Sequence, residues 1–180
     1  QTYRSRYQAP GTRVERMERE LRRIFPGVTV SDLEFSDLND LEAPIEYAYQ
    51  AAIPQFAEVE EGGLRLAPSV LGGLTSRMAR NPTREHDLDL GGTSTYIEER
   101  RVLLPAGMVV RNLPESTTHT SRFGQLTVQT NVDGRALTVR TEFVLQRDRI
   151  DAEEYADFRD WVGEADQALR QRIELGGGAR

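Results

Sequence analysis

Few side chains in this sequence could perform covalent chemistry. Cysteine and lysine are both absent from the 180 residues, which removes thiol nucleophiles, thiolate metal ligands and lysine Schiff bases. No serine lies in a Gly-x-Ser-x-Gly motif, and the glycine pairs lack the spacing of a phosphate-binding loop. The sequence therefore predicts no catalytic residue and no cofactor site, and we expect a protein that is not an enzyme.

The two histidines are the next candidates, because imidazole is a common metal ligand. His86 begins the run His86-Asp87-Leu88-Asp89, but one imidazole with two carboxylates lacks the repeated histidine spacing of zinc and iron sites. His119 lies among threonines, and we expect it on an exposed strand or loop. We predict no metal site at either histidine and interpret the first run as the solvated end of a strand.

Carboxylates are abundant, and one stretch concentrates them. Residues 32–42 contain six side chains with candidate oxygen ligands, namely Asp32, Glu34, Asp37, Asn39, Asp40 and Glu42. Their spacing is not that of an EF-hand loop, and no glycine stands where that loop must turn. We favour a charged connection. A calcium site in this loop stays open, as does a glycosidase pair somewhere among the 29 acids.

Aromatic rings could bind a ligand without covalent chemistry. Tyr47, Tyr49 and Tyr96 are the three candidates for stacking on a sugar ring or a peptide. Each falls on the apolar phase of a predicted strand, which favours a place in the core. Ligand stacking is the alternative, and it would make the protein a carbohydrate- or peptide-binding module.

Composition limits the other partners. The formal net charge of −6 argues against nucleic acid, whose phosphates require a basic surface. No stretch approaches the roughly 20 apolar residues of a membrane-spanning helix. Gln1 is not an initiator methionine, so we expect either an excised piece of a longer protein or a stand-alone relative.

The clearest structural pattern lies in the last third of the chain. Residues 124–132 and 135–146 both alternate apolar and polar side chains. Asp133-Gly134 between them supplies the positive φ that a tight hairpin turn requires. This pattern predicts a β-hairpin.

Two helices are predicted, one near each end. The first covers residues 12–24 and follows an extended lead-in over residues 1–10. The second covers residues 152–173, with Asp151 and Glu154 at the spacing of a capping box. Its apolar stripe consists of Tyr155, Phe158, Trp161, Val162, Ala165, Leu169 and Ile173. We expect the indole of Trp161 to be buried against a sheet.

About eight strands with turn signals between them indicate the fold class. Residues 28–35 form a strand whose broken alternation predicts a bulge near Ser31-Asp32, and residues 45–53 form the next. Because helices do not separate the strands, we expect an α+β, mainly β protein, built as an antiparallel sandwich or a curved sheet.

The predicted domain organisation is simple. Residues 1–27 form a lead-in with the first helix. Residues 28–175 form a single β-rich domain that the second helix closes. Residues 176–180 form a flexible glycine-rich tail.

Several short motifs resemble a known family. They are Leu104-Pro105-Ala106-Gly107, Leu113-Pro114, Phe123-Gly124, the run from Arg149 to Arg159, and Ala165-Asp166-Gln167-Ala168-Leu169. Their order and spacing resemble the C-terminal domain of unknown function that follows the transglutaminase-like core in large bacterial envelope proteins. The resemblance extends over residues 28–175.

This resemblance implies a β-rich accessory domain in the bacterial periplasm or outside the cell. The neighbouring core of the family carries a Cys-His-Asp site, but no residue here matches its nucleophile, because the chain has no cysteine. The implied partner is therefore the transglutaminase-like core itself, on which the domain would pack or to which it would present partners.

Overall fold

The computed structural model describes residues 2–43 and 45–177. The chain divides into two compact units, Gln1–Phe56 and Ala57–Arg180, which we call unit 1 and unit 2. This boundary differs from the one suggested at residues 27/28, because the first helices and the first hairpin share one core. As predicted, the protein is α+β and mainly β, with antiparallel sheets and helices near both ends.

Unit 1 contains two helices and one hairpin. Its elements are helix α1 (Thr2–Tyr7), a 3-10 turn (Pro10–Thr12), helix α2 (Arg13–Leu21), strand β1 (Thr29–Phe35) and strand β2 (Tyr47–Ala52). The extended lead-in predicted over residues 1–10 is wrong, because tertiary contacts order it as a helix. The Tyr7 ring is fully buried, and the Arg4 guanidinium donates hydrogen bonds to the carbonyl oxygens of Leu38 and Ala43.

Helix α2 is shorter than the predicted helix over residues 12–24. The backbone N–H groups of Ile24 and Phe25 both donate to the Leu21 carbonyl, so the chain turns instead of continuing. Ile24 is accordingly exposed, whereas Met17 on the same predicted stripe is buried. The buried core of unit 1 consists of Tyr7, Met17, Val30 and Leu38.

The hairpin of unit 1 contains the predicted bulge. Strand β1 pairs antiparallel with β2, and the register shifts between Ser31 and Glu34. Asp32 sits inside this shift with a φ of +50°, a left-handed conformation that aspartate tolerates better than most residues. The predicted bulge is therefore confirmed, because the broken alternation in the sequence coincides with the register shift in β1.

Unit 2 contains ten strands and two α-helices within its described part. They are β3 (Glu58–Glu60), β4 (Gly63–Leu66), α3 (Leu74–Met78), β5 (Leu88–Asp89), β6 (Ser94–Leu103), β7 (Met108–Asn112), β8 (Thr117–Ser121), β9 (Gly124–Asp133), β10 (Ala136–Leu145), β11 (Arg149–Ile150), α4 (Tyr155–Arg170) and β12 (Ile173–Gly177). One four-stranded sheet has the order β6-β10-β9-β8, and a second has the order β3-β4-β12-β7. Strands β5 and β11 form a separate pair. No helix in the described chain is long and apolar enough to cross a membrane.

The β9–β10 hairpin matches the prediction closely. Asp133 pairs with Ala136 across the turn, and Gly134 has a φ of +56°. Alternate residues of β10 are buried, namely Leu137, Val139, Thr141, Phe143 and Leu145. Val132 on β9 is an exception, because it lies near the turn and is 38% exposed.

Helix α4 buries the predicted stripe but differs from the prediction at both ends. It ends at Arg170, because Ile173 pairs with Leu66 as the first residue of β12. The capping box is also wrong, since the Asp151 side chain makes no cap hydrogen bond. The Glu154 carboxylate instead forms ion pairs with arginines outside the helix.

The predicted flexible tail is partly a strand. Gly176 and Gly177 belong to β12, where Gly176 pairs with Gly63 on one side and Val109 on the other. The Arg111 guanidinium lies directly over Gly176, in the space that a β-carbon would need. Glycine is therefore used here for close packing. Residues 178–180 lie outside the described part of the chain.

The Trp161 indole is the centre of the contact between α4 and the β9–β10 sheet, and its predicted burial is confirmed at 4% exposure. The Phe143 ring stacks on it at 5.7 Å between centroids and 18° between planes. Phe123 and Phe158 complete an aromatic cluster around it. A β-carbon at Gly124 would lie 2.9 Å from the Trp161 ring, so that glycine provides the space into which the indole packs.

Asp166 is a buried acid on α4 with a structural partner. Its two carboxylate oxygens accept hydrogen bonds of 2.8 Å from the backbone N–H groups of Leu74 and Thr75, the first residues of α3. Burial opposes ionisation, but the hydrogen bonds from Thr75 and Leu74, with the charge of Arg170, outweigh it and lower the pKa of Asp166. The carboxylate thus holds α3 onto α4 from a distant part of the sequence.

We expect Trp161→Ala to lower the free energy of unfolding by about 3–5 kcal/mol, because it removes a buried ring and leaves a cavity. Gln167→Ala is the matched control on the exposed face of the same helix, and it should change stability by about 0.5 kcal/mol or less. Urea unfolding followed by circular dichroism measures both. Equal effects of the two variants would contradict the assigned packing of α4.

Asp166 should also make stability depend on pH. A lowered folded-state pKa means that the carboxylate stabilises the fold above its unfolded pKa of about 3.9, and that this contribution disappears as the pH falls through the folded value. The unfolding free energy of the parent should therefore exceed that of Asp166→Asn at pH 7, and the gap should narrow below about pH 4. Asp160→Asn, exposed on the same helix, should show no such gap in calorimetry. A gap for Asp166→Asn that is the same at every pH would contradict the titration.

Candidate functional site

Four aromatic side chains follow one another across unit 1, and we call them the aromatic row. Tyr7 and Phe35 lie 5.0 Å apart between ring centroids, Phe35 and Tyr47 5.5 Å, and Tyr47 and Tyr49 6.2 Å. The first ring is fully buried, whereas Tyr47 is 46% exposed and Tyr49 is 38% exposed. The row therefore runs from the core to the surface and ends in two accessible rings.

Strand geometry accounts for this arrangement. Tyr47 and Tyr49 are two residues apart on β2, so their side chains lie on one face, and Tyr47 pairs with Phe35 on β1. The prediction that both tyrosines belong to the core is wrong. Helix α2 packs on β1, while every residue of β2 remains exposed.

The two exposed rings could bind a ligand by stacking. Their planes differ by only 16°, so two near-parallel rings, each with a hydroxyl group, are accessible on one face of the hairpin. Burial, and to a smaller degree the charge of Tyr47, raises the pKa of Tyr49. Its phenol is therefore protonated at physiological pH and can both donate and accept hydrogen bonds. Such a surface suits sugar rings or peptide side chains.

Tyr96, the third predicted candidate, lies in unit 2 and is not part of the aromatic row. It is half-buried on β6, and its hydroxyl donates to Glu98 Oε2 at 3.3 Å. Burial first, then the charge and hydrogen bond of Glu98, raise the pKa of Tyr96 to about 12. The structure therefore brings together two of the three predicted tyrosines.

Glu98 is the centre of a polar network that the sequence did not reveal. The Ser69 hydroxyl donates to its carboxylate, Arg100 Nε lies 3.1 Å from Glu98 Oε1, and Arg100 Nη2 donates to the Ala67 carbonyl at 2.6 Å. Tyr96, Glu98 and Arg100 alternate along β6 on its half-buried phase. The two-residue spacing of these polar side chains is the sequence pattern from which the network could have been predicted. The network holds the segment after β4 against β6, which is a structural role.

The histidine run His86–Asp89 uses its carboxylates for folding. Asp87 accepts hydrogen bonds from the Arg149 guanidinium at 2.8 and 3.1 Å and from the Ala152 backbone N–H at 3.0 Å. The Arg149 hydrogen bond is the main reason that the pKa of Asp87 is lowered. Asp89 accepts from the N–H of Gly91 at 2.8 Å. Both carboxylates therefore have partners within the protein.

His119 lies where β8 meets α4. Its Nε2 is 3.3 Å from the Thr117 hydroxyl, and its Nδ1 is 3.8 Å from a carboxylate oxygen of Glu164. Its backbone carbonyl accepts from the Trp161 indole N–H at 3.3 Å. The residue thus helps to attach the helix to the edge of the sheet.

The acidic segment over residues 32–42 begins in strand β1, which contains Asp32 and Glu34, and continues as local turns. Asp37 accepts from the backbone and side chain of Asn39, and Asp40 accepts from the N–H groups of Glu42 and Ala43. Across residues 2–43 and 45–177, no three histidine, aspartate or glutamate side chains come close enough together to hold a metal ion.

One cleft of unit 2, at the β3–β4 turn, contains several acids. Glu60, Glu61 and Glu174 line it together with Arg65 and Arg111. Glu60 forms an ion pair with Arg65, and its hydrogen bond raises the pKa of that guanidinium. The cleft is therefore a surface cluster of three acids and two arginines, held in part by the Glu60–Arg65 ion pair.

Comparison with known proteins identifies the class of the chain. Residues 63–175, more than half of the sequence, match the model of a domain of unknown function with a solved structure, DUF3858. The chain belongs to this family. The matched range begins with β4 and ends within β12, so it covers most of unit 2.

A solved structure shares the fold. The chain is similar to a crystal structure of a putative protease from Parabacteroides distasonis ATCC 8503, with a TM-score of 0.54 and 18% sequence identity. The match covers 66% of this chain and 24% of that protein, so this chain corresponds to about a quarter of the longer one. No curated protein matches the chain by sequence.

Proposed function

We propose that this chain is a non-catalytic accessory domain of a larger bacterial envelope protein, located in the periplasm or outside the cell. Its partner is a transglutaminase-like core, on which it packs or to which it presents other molecules. The order of motifs over residues 28–175 supports this proposal, as does membership of a family of unknown function.

The observation that carries the proposal is the extent of the structural match. Two thirds of this chain correspond to only a quarter of a longer protein that is described as a putative protease. A domain of this type therefore occurs beside a much larger remainder. Within unit 2, the acids Asp87, Glu98 and Asp166 are engaged in hydrogen bonds that hold elements together, which agrees with a supporting role.

The test uses the complete gene product that contains this segment. We expect deletion of residues 57–177 to change the unfolding midpoint of the neighbouring core or its preference among peptide substrates. Trp161→Ala in the complete protein should act in the same direction, because it destabilises the domain in place, and Gln167→Ala should have no effect. Differential scanning calorimetry and a substrate-panel assay measure these quantities. An unchanged core in both the deletion and Trp161→Ala would remove the accessory role.

A second function, binding of a carbohydrate or a peptide, is favoured by the aromatic row. The two near-parallel exposed rings of Tyr47 and Tyr49 form an accessible apolar surface on an otherwise acidic hairpin. Stacking of a ligand on aromatic faces is a common source of affinity in such modules. Tyr96 does not contribute to this surface.

We expect Tyr49→Ala to weaken retention on peptidoglycan or on immobilised peptides by about tenfold, the value of one lost stacking contact of roughly 1.4 kcal/mol. Leu41→Ala is the matched control, because Leu41 is a 72% exposed apolar residue of the same unit. A pull-down and a glycan array measure retention. Blank results with both glycans and peptides would exclude this function.

A further inference from the structure

Strand β2 has one edge that no strand of the described chain covers. It pairs with β1 only, in a two-stranded sheet. The opposite edge of this sheet is already used, because the N–H of Val30 on β1 donates to the Glu18 carboxylate of α2 at 2.9 Å. A further strand can therefore join the sheet only at β2.

The hydrogen bonds of β1 show which groups β2 offers. Because the Val30 N–H is directed at Glu18, Val30 and its partner Ala51 form a non-hydrogen-bonded pair. The N–H and C=O groups of Ala51 are then directed away from β1, and by alternation so are those of Tyr49. At the other end of the hairpin, the Ser36 N–H donates to the Glu46 carbonyl, so these two residues form a hydrogen-bonded pair. Alternation along β2 from Glu46 again directs the backbone groups of Tyr49 and Ala51 away from β1.

This edge lacks the protection that sheet edges usually carry. Charged side chains and short length commonly block unwanted strand pairing. Strand β6, an edge of a sheet in unit 2, carries four successive charges from Glu98 to Arg101, and the three-residue edge strand β3 carries Glu58 and Glu60. By contrast, residues 47–55 contain no charge, and all of β2 is exposed.

The two faces of the hairpin differ in chemistry and so define the incoming strand. One face presents the tyrosines of the aromatic row. On the other face Glu34 lies opposite Ala48, and Glu46 shares that face by alternation. Residues 29–56 contain six acids and no basic residue. A second copy would bring two such acidic hairpins together, so charge disfavours it.

We propose that β2 accepts an extended peptide as a third strand, with basic side chains beside Glu46 and within reach of Glu34 across the small Ala48, and with apolar side chains beside Tyr49. This inference rests on the peptide-binding function proposed above and specifies its ligand. Backbone hydrogen bonds supply affinity and the alternating side chains supply specificity, as in other cases of strand addition. The acceptor edge is the outward backbone of Tyr49 and Ala51.

The probe is the fluorescein-labelled heptapeptide Arg-Val-Arg-Val-Arg-Val-Arg, and the comparison peptide has Glu in place of each Arg. We expect the basic peptide to bind the 180-residue chain at least about tenfold more tightly than the acidic one in fluorescence anisotropy, with the difference shrinking at high salt. In nitrogen-15 NMR spectra, the amides of Tyr49 and Ala51 should shift and exchange more slowly with solvent on addition of the basic peptide.

Ala51→Pro removes the outward N–H without removing a β1–β2 hydrogen bond, since proline is tolerated where an edge N–H faces solvent. We expect it to abolish peptide binding while the β1 amides keep their chemical shifts. The double variant Glu34→Gln with Glu46→Gln should weaken binding about tenfold. Glu42→Gln, outside this face, is the matched control and should bind as the parent does.

Three results with the peptides and the Ala51→Pro variant would overturn the proposal. They are equal binding of the acidic and basic peptides, full binding by Ala51→Pro, and a dimer of the chain that Ala51→Pro disrupts. Retention of glycans that requires Tyr49, without any peptide binding, would also overturn it. That last result would leave the binding function of the aromatic row in place, so the two failures are distinguishable.

Discussion

The packing of the Trp161 indole onto Gly124 is the contact on which unit 2 depends. It joins the longest helix to the start of β9, and the rings of Phe123, Phe143 and Phe158 enclose it. Because the glycine has no side chain, the indole reaches the sheet and its N–H reaches the His119 carbonyl. A close-packed interior has little room to adjust around such a contact, so neighbouring elements are placed relative to this ring.

Three carboxylates of unit 2 have the same structural role. Carboxylates are common catalytic groups, but these three have structural partners. Asp87, Glu98 and Asp166 each accept a hydrogen bond from a backbone N–H of a segment distant in sequence. A carboxylate that accepts backbone hydrogen bonds satisfies donors that burial would otherwise leave unpaired. These acids act as connectors between loops and regular elements, which is the chemistry of a scaffold.

Local patterns in the sequence predicted much of the fold, and tertiary effects account for the rest. The β9–β10 hairpin, the bulge at Asp32 and the buried stripe of α4 follow from periodicity, which a single sequence contains. The exposure of Tyr47 does not follow from periodicity, because it depends on which strand the helices of unit 1 cover. The same is true of β12, where glycines that suggested a tail instead allow close approach of Arg111. Glu154, expected in a capping box, instead forms ion pairs with Arg147 and with the more distant Arg122, which the local spacing of the sequence does not indicate.

The position of β12 has a consequence for the order of folding. It is the last strand of the described chain, yet it lies inside its sheet, between β4 and β7, and Ile173 pairs with Leu66, more than a hundred residues earlier. During synthesis β4 and β7 therefore emerge long before the strand that joins them. Closure of so long a loop slows folding, and until it occurs two sheet edges are open to other chains. A chain that ended before residue 173 would lack the strand that joins β4 to β7, and this four-stranded sheet could not form.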